Sequence, residues 1–224
     1  MKVQLISDTH GKHRQMNIDT SVDMIVHSGD STNHYDWLPN EIEFKDFIDW
    51  YSNLPIQNKI LIAGNHDTWA LKKYNHEICK ELGIIYLEDN YITIENKIIF
   101  GSPWVPNFGI WNFMKSRQKL GTFWDNLLIN DIDLLVTHGP PKGILDLTEN
   151  KDYSLERVGC SGLFRAAMKY KPKHHVFGHV HNNKDIINFG HRNLDGINFY
   201  NASAVKDGEF HKPPINNKGL IIEI

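Results

Sequence analysis

Cysteine is scarce in this 224-residue chain, which contains two, Cys79 and Cys160. Neither belongs to a Cys-x-x-Cys pair, so the sequence supports neither a zinc ribbon nor a thioredoxin-like redox site. Free cysteine is usually buried, and we therefore expect two buried, reduced thiols. The length fits one domain with a sizeable core, which we predict to span residues 1–224.

A long apolar run and an excess of positive charge are also missing. No stretch approaches the ~20 apolar residues of a membrane span, and no long apolar segment follows a basic start, so we expect a cytoplasmic protein without membrane association. The formal net charge is −3, which argues against a broad cationic surface for stable nucleic-acid binding. A nucleotide substrate stays compatible, because bound metal ions can supply local positive charge.

Several hydrolase designs are absent as well. The sequence contains no Gly-x-Ser-x-Gly nucleophile elbow, no P-loop and no His-Glu-x-x-His helix. The metallo-β-lactamase pattern His-x-His-x-Asp-His is missing too. The common designs of serine hydrolases, nucleotide triphosphatases and zinc proteases are therefore poorly supported.

Short apolar runs alternate with helical patterns along the chain. The runs are too short for typical helices and are bounded by Gly, Asp, Ser or Asn, so we predict buried strands at 3–6, 24–26, 60–63, 98–100, 134–136 and 175–177. Helical spacing of apolar residues predicts helices at 41–54, 69–82, 116–128 and 161–170. After residue 186 the pattern indicates short β segments, at 197–200 and 220–224. This alternation predicts an α/β layer fold.

Polar motifs directly follow five of the predicted strands. They are Asp8-Thr9-His10, Gly29-Asp30, Gly64-Asn65-His66-Asp67, Thr137-His138-Gly139 and Gly178-His179-Val180-His181. Ligands of open α/β sheets gather beyond the carboxyl ends of strands, so these five segments can converge on one place. Residues two apart on an extended strand end face the same side, which predicts that Asp8 and His10, and likewise His179 and His181, face one cluster. Mixed Asp, Asn and His ligands suit a dinuclear hydrolytic centre, with the lone carboxylate of Asp30 as the candidate bridge.

In this order the motifs resemble those of the calcineurin-like metallophosphoesterase superfamily: Asp-x-His, Gly-Asp, Gly-Asn-His-Asp/Glu, a lone His, and Gly-His-x-His. More narrowly, the chain resembles the metallophosphoesterase-domain (MPPED) family of phosphodiesterases through segments 53–66, 101–104, 137–141, 157–160, 175–178 and 201–203. The resemblance covers about residues 1–205. It implies a four-layer αββα sandwich, in which two mixed β-sheets are flanked by helices.

The resemblance also implies two divalent metal ions, with Mn²⁺ favoured and Fe, Zn²⁺ and Co²⁺ as alternatives. The implied ligands of one ion are Asp8, His10, Asp30 and His181. Those of the other are Asp30, Asn65, His138 and His179. Some animal members of the narrower family carry Gly at the position of His179. This chain keeps the histidine, so a full two-metal site is expected.

The reaction expected from this site is hydrolysis of a phosphodiester by a hydroxide that bridges the two ions. His66 is predicted to contact the phosphate and to protonate the leaving oxygen, a role that suits imidazole. Asp67 either fixes the His66 tautomer or is a helix N-terminal residue. Further substrate contacts are expected from Asn65, from Trp104 in the aromatic loop 103–111, which could stack a base, and from Arg157, whose alternative is a structural ion pair.

Other functions stay open from the sequence. One is a phosphomonoesterase or protein phosphatase, although the chain lacks an insertion of the length that protein phosphatases use. Another is a non-catalytic nucleotide-binding module that keeps the metals. We expect a small, nucleotide-like phosphoester substrate, and nothing indicates the oligomeric state. The remaining histidines are interpreted as surface or packing residues (His13, His34, His76, His174, His191 and His211), and His27 as a residue that faces the core.

Overall fold

The computed structural model of the protein describes residues 1–183, 185–206, 215 and 218–224; His211 lies outside these ranges. The helices are α1 Trp37–Ser52, α2 Lys73–Glu81, α3 Arg117–Leu127 and α4 Ser161–Tyr170. The strands are β1 Lys2–Ile6, β2 Met24–His27, β3 Asn58–Leu61, β4 Ile84–Tyr86, β5 Asn90–Ile94, β6 Lys97–Ser102, β7 Val105–Pro106, β8 Met114–Lys115, β9 Leu134–Thr137, β10 Leu147–Glu149, β11 Leu155–Arg157, β12 His174–Phe177, β13 Gly190–Leu194, β14 Ile197–Asn201 and β15 Leu220–Glu223. Short 3-10 helices cover His13–Gln15 and Thr68–Leu71.

Two mixed sheets form the centre of the fold. The first has the order β15-β1-β2-β3-β4, and all its neighbours are parallel except β15 and β1. The second has the order β13-β14-β12-β9-β6-β5, with a parallel centre and an antiparallel strand at each edge. In each sheet the parallel strands therefore end at a common carboxyl edge, where ligand sites of α/β proteins usually lie.

Alternation of side chains along the strands builds the layers, because successive residues face opposite sides of a sheet. Val3 and Leu5 of β1 join a core that they share with Leu134 and Val136 of β9, so this core lies between the two sheets. Ile6 packs instead with residues of α1 and α2 on the outer face of the first sheet. The outer face of the second sheet packs on α3 and α4. The result is the αββα sandwich that the resemblance implied.

All the predicted strands are present, although β3 ends at Leu61 rather than at Ala63, and both cysteines are free and buried as expected. The predicted helix 69–82 is wrong in its first turn, where a 3-10 turn ends at Leu71 and Lys72 is extended before α2 begins. The cause is tertiary anchoring of Trp69, which stacks on Phe44 at 4.2 Å and donates its backbone N–H to Asn40 at 2.8 Å. Within the described residues, no helix is both long enough and apolar enough to cross a bilayer.

Candidate metal centre

The five polar motifs meet where the carboxyl edges of the two sheets come together. Three of them follow β1, β2 and β3 of the first sheet, and two follow β9 and β12 of the second. The seven predicted metal ligands lie here, and all except His179 are buried. Three groups of side chains bring their potential ligand atoms within 4.8 Å of one another: Asp8, His10 and His181; His10, Asp30 and His66; and Asp30, His138 and His179.

The first cluster is organised around the carboxylate of Asp8. His181 Nε2 lies 3.0 Å from Asp8 Oδ1, the backbone N–H of His179 donates to the carboxylate, and Ser203 Oγ donates to Oδ2 at 3.0 Å. Burial alone would raise the pKa of Asp8, but the charge and hydrogen bond of His181 and the charge of His138 together outweigh burial and hold the pKa well below its usual range. Asp8 is therefore a fixed negative charge beside His10 and His181.

The second cluster brings atoms with lone pairs face to face. His138 Nδ1 lies 3.0 Å from the carbonyl oxygen of Ser28, which can only accept, so Nδ1 carries the proton. His138 Nε2 then lies 3.0 Å from Asn65 Oδ1 and 3.3 Å from Asp30 Oδ2. In the neutral imidazole these three atoms all present electron pairs, an arrangement that a cation stabilises. Burial lowers the pKa of His138, but the charge and hydrogen bond of Asp30, the charge of Asp8 and the bond to Ser28 together outweigh burial and raise the pKa to about 9, so the site attracts positive charge.

Asp30 belongs to both sides of the centre. Its Oδ2 lies 3.7 Å from His10 Nε2 on one side and 3.3 Å from His138 Nε2 on the other. Its other oxygen accepts the backbone N–H of His66 at 2.8 Å, which fixes the carboxylate plane. A bridging ligand would need this position, and the bridging role of Asp30 stays a prediction.

The route by which the ligands converge differs from the sequence-based expectation. Asp8, His10, Asp30 and His179 all have left-handed backbone, with φ of 52°, 43°, 54° and 67°. The prediction that the paired residues sit on extended strand ends is therefore wrong, although Asp8, His10 and His181 do meet. Left-handed backbone costs a residue with a Cβ on the order of 1 kcal/mol or more, and such strain concentrates at functional sites.

His66 lines a small pocket of about 160 Å³ together with the centre's residues Asp30, Asn65, His179 and His181. Its Nδ1 lies 2.7 Å from the carbonyl oxygen of Asn33, so Nδ1 must carry a proton and Nε2 is left for the pocket. The ring stacks on Trp111 with 4.1 Å between centroids. These contacts hold the imidazole in one orientation beside His10 and Asp30.

Asp67 does not fix the His66 tautomer, which corrects one of the two expectations; it directly precedes the 3-10 helix Thr68–Leu71, as the other expectation had it. Its buried carboxylate accepts hydrogen bonds from backbone N–H groups of Ser31, Thr32 and Gly64 and from the hydroxyls of Ser31 and Thr32. Burial and the nearby Asp30 raise its pKa. Asp67 thus ties the loop after β2 to the loop after β3, while the carbonyl of Asn33 orients His66.

Trp104 does not reach the pocket, so the expectation that it contacts the substrate is wrong. Its Nε1 donates to Asp89 at 2.9 Å, its ring packs against Phe113, and Lys115 Nζ lies over its face. The residues of the aromatic loop that reach the pocket are Phe108 and Trp111. The sequence indicates the correct loop but not the correct residue in it, because which ring faces the pocket depends on how the loop packs.

Arg157 forms the structural ion pair that was the alternative expectation. Its Nη1 lies 2.9 Å from Oδ1 of Asp146, which is fully buried. In the described part of the chain, Arg157 does not border the pocket that contains His66 or the larger cavity beside His179 and His181. Of the packing histidines, His27 and His13 are buried and His175 joins them, whereas His34 and His191 are exposed.

Two contacts of the site had no clear signal in the sequence. The Asn33 carbonyl is a main-chain atom, so no side-chain pattern announces its role toward His66. Ser203, which donates to Asp8, comes from a strand end 195 residues away. It follows β14 as the ligands follow their own strands, and that position was the available clue.

The residues present fit divalent cations. Two carboxylates, one amide oxygen and four imidazoles converge, and this mixture of oxygen and nitrogen donors suits Mn²⁺, Fe, Zn²⁺ or Co²⁺. A shared carboxylate between two clusters is the donor arrangement of a binuclear centre. The fold and this donor set therefore define a candidate binuclear metallohydrolase.

Comparison with known proteins agrees with this class. The model of the family described as calcineurin-like phosphoesterase matches residues 1–183. The human protein Metallophosphoesterase domain-containing protein 1 is 35% identical over 225 residues, which cover 89% of this chain and 64% of that protein. The chain thus spans slightly less than two thirds of that relative.

Solved structures share the fold. Phosphopantetheinyl hydrolase (PptH) from Mycobacterium tuberculosis matches with a TM-score of 0.60 and 16% identity over 98% of this chain and 95% of that one. A protein of Thermus thermophilus, TT1561, matches with a TM-score of 0.59 and 11% identity over 89% and 88%. The chain belongs to the calcineurin-like phosphoesterase family, and this membership, together with the ligand clusters, supports a metal-dependent phosphoesterase.

Proposed function

We propose that the protein hydrolyses small, nucleotide-like phosphodiesters with the help of two divalent cations, Mn²⁺ being the favoured metal. The observation that carries the proposal is the position of Asp30, whose Oδ2 faces His10 in one cluster and His138 in the other. One ion would be held by Asp8, His10, Asp30 and His181, and the other by Asp30, Asn65, His138 and His179. When bound, the cations would neutralise phosphate charge and activate water.

The chain's own residues supply binding and proton transfer. Asn65 and His66 border the pocket in which a phosphate would sit. His66 would donate a proton from Nε2 to the leaving oxygen, while Nδ1 stays bonded to the Asn33 carbonyl. Trp111 stacks on His66 and, with Phe108, forms an apolar rim that can exclude water and contact a base.

The size of the pocket favours a small substrate over a protein. At about 160 Å³ the ligand-lined cavity suits one phosphoryl group, and aromatic residues of the loop stand at its mouth. A protein phosphatase needs an open surface for a folded partner. A monoesterase would use the same ligands, and direct measurement separates the two activities.

The proposal is tested with bis(p-nitrophenyl) phosphate and p-nitrophenyl phosphate, each with Mn²⁺ and with EDTA. We expect Mn²⁺-dependent turnover and a higher kcat/KM for the diester. Turnover of the monoester alone would refute diester preference. Stoichiometric Mn²⁺ binding without any turnover would instead identify a binding module.

His66→Gln tests the proton donor. We expect kcat for the diester to fall by roughly 10²-fold or more, the usual contribution of general acid catalysis, with metal content unchanged. His191→Gln is the matched control, because His191 is exposed and its side chain contacts Asn198 and Tyr200 rather than residues of the centre. An unchanged rate in His66→Gln would remove His66 from this role. The cytoplasmic location and the single domain over residues 1–224 stay predictions.

A further inference from the structure

A second cavity, of about 470 Å³, opens beside the candidate metal centre. We call it the hairpin groove, because one wall is the two-stranded hairpin β10–β11, which contributes Thr148 and Glu156. The groove shares Phe108, His179 and His181 with the small pocket of about 160 Å³ that contains His66. It is thus continuous with the centre but distinct from the pocket that contains His66.

The position of the groove relative to His66 decides what it can hold. A phosphodiester has two organic substituents, and hydrolysis breaks the P–O bond to one while water forms a new P–O bond. The departing oxygen takes the proton of His66, and the bond to the other substituent is unchanged. Neither His66 nor Trp111 borders the hairpin groove. We propose that the groove between Phe108 and the β10–β11 hairpin binds the retained substituent of the diester, an uncharged nucleoside-sized group. This inference rests on the proposed phosphodiesterase function.

The lining of the groove matches that chemistry. Phe108 and Val158 offer apolar surface to a planar ring. Thr148 and Glu156 are cross-strand partners and offer a hydroxyl and a carboxylate to sugar hydroxyls. Among the described residues, the groove carries one carboxylate, Glu156, and one guanidinium, Arg117, so their formal charges balance. A volume of about 470 Å³ lies in the usual range of small-molecule sites, roughly 300–1,000 Å³.

The hairpin wall is fixed to the metal centre. Asn188, which is 1% exposed, bonds both backbone groups of Leu147 in β10 and also donates to the carbonyl of the ligand residue His181. Buried Asp146 accepts from the backbone of Gly143 and Gly159 and from Arg157 at the other side of the hairpin. The groove is therefore held at a constant distance from His181, as a substrate subsite requires.

Blocking the groove tests the inference with two substrates that share one leaving group. Thymidine 5′-(p-nitrophenyl phosphate) retains thymidine, whereas p-nitrophenyl phosphate retains no organic group. We expect Thr148→Tyr to lower kcat/KM for the thymidine ester by about tenfold or more, the size of a pocket contact, and to change the monoester rate by less than about twofold. Glu156→Tyr, from the opposite strand on the same face, should act alike.

Glu149→Tyr is the matched control, because Glu149 is the next residue of β10 and does not border the groove. It should change neither rate, and thermal melting checks that all three variants fold. Equal losses on both substrates, or an unchanged thymidine ester rate in both groove variants, would overturn the subsite.

Failure of the proposed function is recognised separately, because the wild-type protein would then hydrolyse neither the thymidine ester nor bis(p-nitrophenyl) phosphate with Mn²⁺. The subsite is then decided by crystals soaked with thymidine 5′-monophosphate. Density for the nucleoside between Phe108 and Thr148 would support it, and density elsewhere or none at saturating nucleotide would overturn it.

Discussion

The two sheets contribute different chemistry to the same centre. The first sheet supplies the oxygen ligands, Asp8, Asp30 and Asn65, and one imidazole, His10. The second sheet supplies imidazoles alone, His138, His179 and His181. The group Asp8, His10 and His181 and the group Asp30, His138 and His179 each combine a carboxylate from the first sheet with at least one imidazole from the second, so neither sheet holds all the ligands of either ion. Metal binding should therefore depend on how closely the sheets approach each other.

Glycines on each sheet make room for a ligand of the other. A Cβ on Gly29 or Gly64 of the first sheet would overlap with His138, and a Cβ on Gly178 of the second would overlap with Asp8 and Ser7. At the centre, each sheet thus packs a ligand side chain against a glycine of the other sheet. The interface core of Val3, Leu5 and Val136 lies between the same sheets.

We expect the largest effect on activity from a change at Asp30, the residue that both ligand clusters share. Asp30→Asn keeps the size of the side chain but removes the charge that faces His10 and His138, so we expect kcat to fall by roughly 10³-fold or more. Mn²⁺ should raise the melting temperature of the wild-type protein, because a ligand that binds only the folded state stabilises it. That increase should be largely lost in the variant.

Asp195→Asn provides the control for Asp30→Asn, since Asp195 is exposed and pairs with Lys171 far from the centre. Differential scanning fluorimetry with and without Mn²⁺ gives the readout beside the activity assay. If Asp30→Asn keeps the full increase in melting temperature with Mn²⁺, the Asp30 carboxylate does not take part in binding metal between the two sheets.

The next largest effect tests the close approach itself. Gly178→Ala places a methyl group against Asp8 and Ser7, and overpacking of this kind typically costs about 1–3 kcal/mol. We expect Mn²⁺ affinity to fall by about tenfold or more, because Asp8 must move. Gly121→Ala in α3 meets only the flexible end of Arg165, so its effect should be within about 1 kcal/mol. Equal behaviour of the two variants in urea unfolding and metal titration would contradict a tight interlock at Gly178.

Much of this centre was predictable because its signals are local. Each ligand motif follows an apolar run, and the run, its turn and its carboxyl end are encoded within about ten residues. Asp8, Asp30, Asn65, His138, His179 and His181 could be named for that reason. The exchange of Trp104 for Trp111 and the role of the Asn33 carbonyl were not predictable, since both depend on packing between distant loops.

The edge strands were missed for a related reason. β5 and β13 bury none of their side chains fully; in β5 Thr93 separates Ile92 from Ile94, and Leu194 is the one large apolar residue of β13, so neither strand shows the continuous apolar run by which the central strands are found. Their pairing with β6 and β14 is made through backbone groups. The sandwich itself came from family resemblance, because periodicity indicated α/β layering but not two facing sheets.

A smaller effect, on stability, is expected at two buried histidines that each contact a threonine, one in each sheet. In the first sheet His27 donates from Nε2 to Thr9, and its Nδ1 accepts the N–H of Gly29. In the second sheet His175 Nε2 lies 2.8 Å from Thr137 Oγ1, and its Nδ1 has no hydrogen-bond partner among the described residues. His27→Phe would leave a buried N–H without an acceptor, which costs about 1–3 kcal/mol. At pH 7 we expect it to destabilise the protein clearly more than His175→Phe, as measured by urea unfolding.

The smallest effect at pH 7, and a distinct one in acid, is expected for His175→Phe. Phe177 and Phe199 surround this buried imidazole, and burial lowers its pKa to about 3. An unfolded histidine has a pKa near ~6.5. The neutral ring therefore contributes stability that is complete above pH ~6.5 and is lost as pH falls toward 3, at up to ~1.4 kcal/mol per pH unit.

Phenylalanine cannot be protonated, so the variant does not have this pH dependence. In EDTA the variant should stay within about 1 kcal/mol of wild type at pH 7 but gain roughly 2 kcal/mol relative to it at pH 5. Parallel pH profiles of the two proteins would show that His175 is not held neutral by the second sheet.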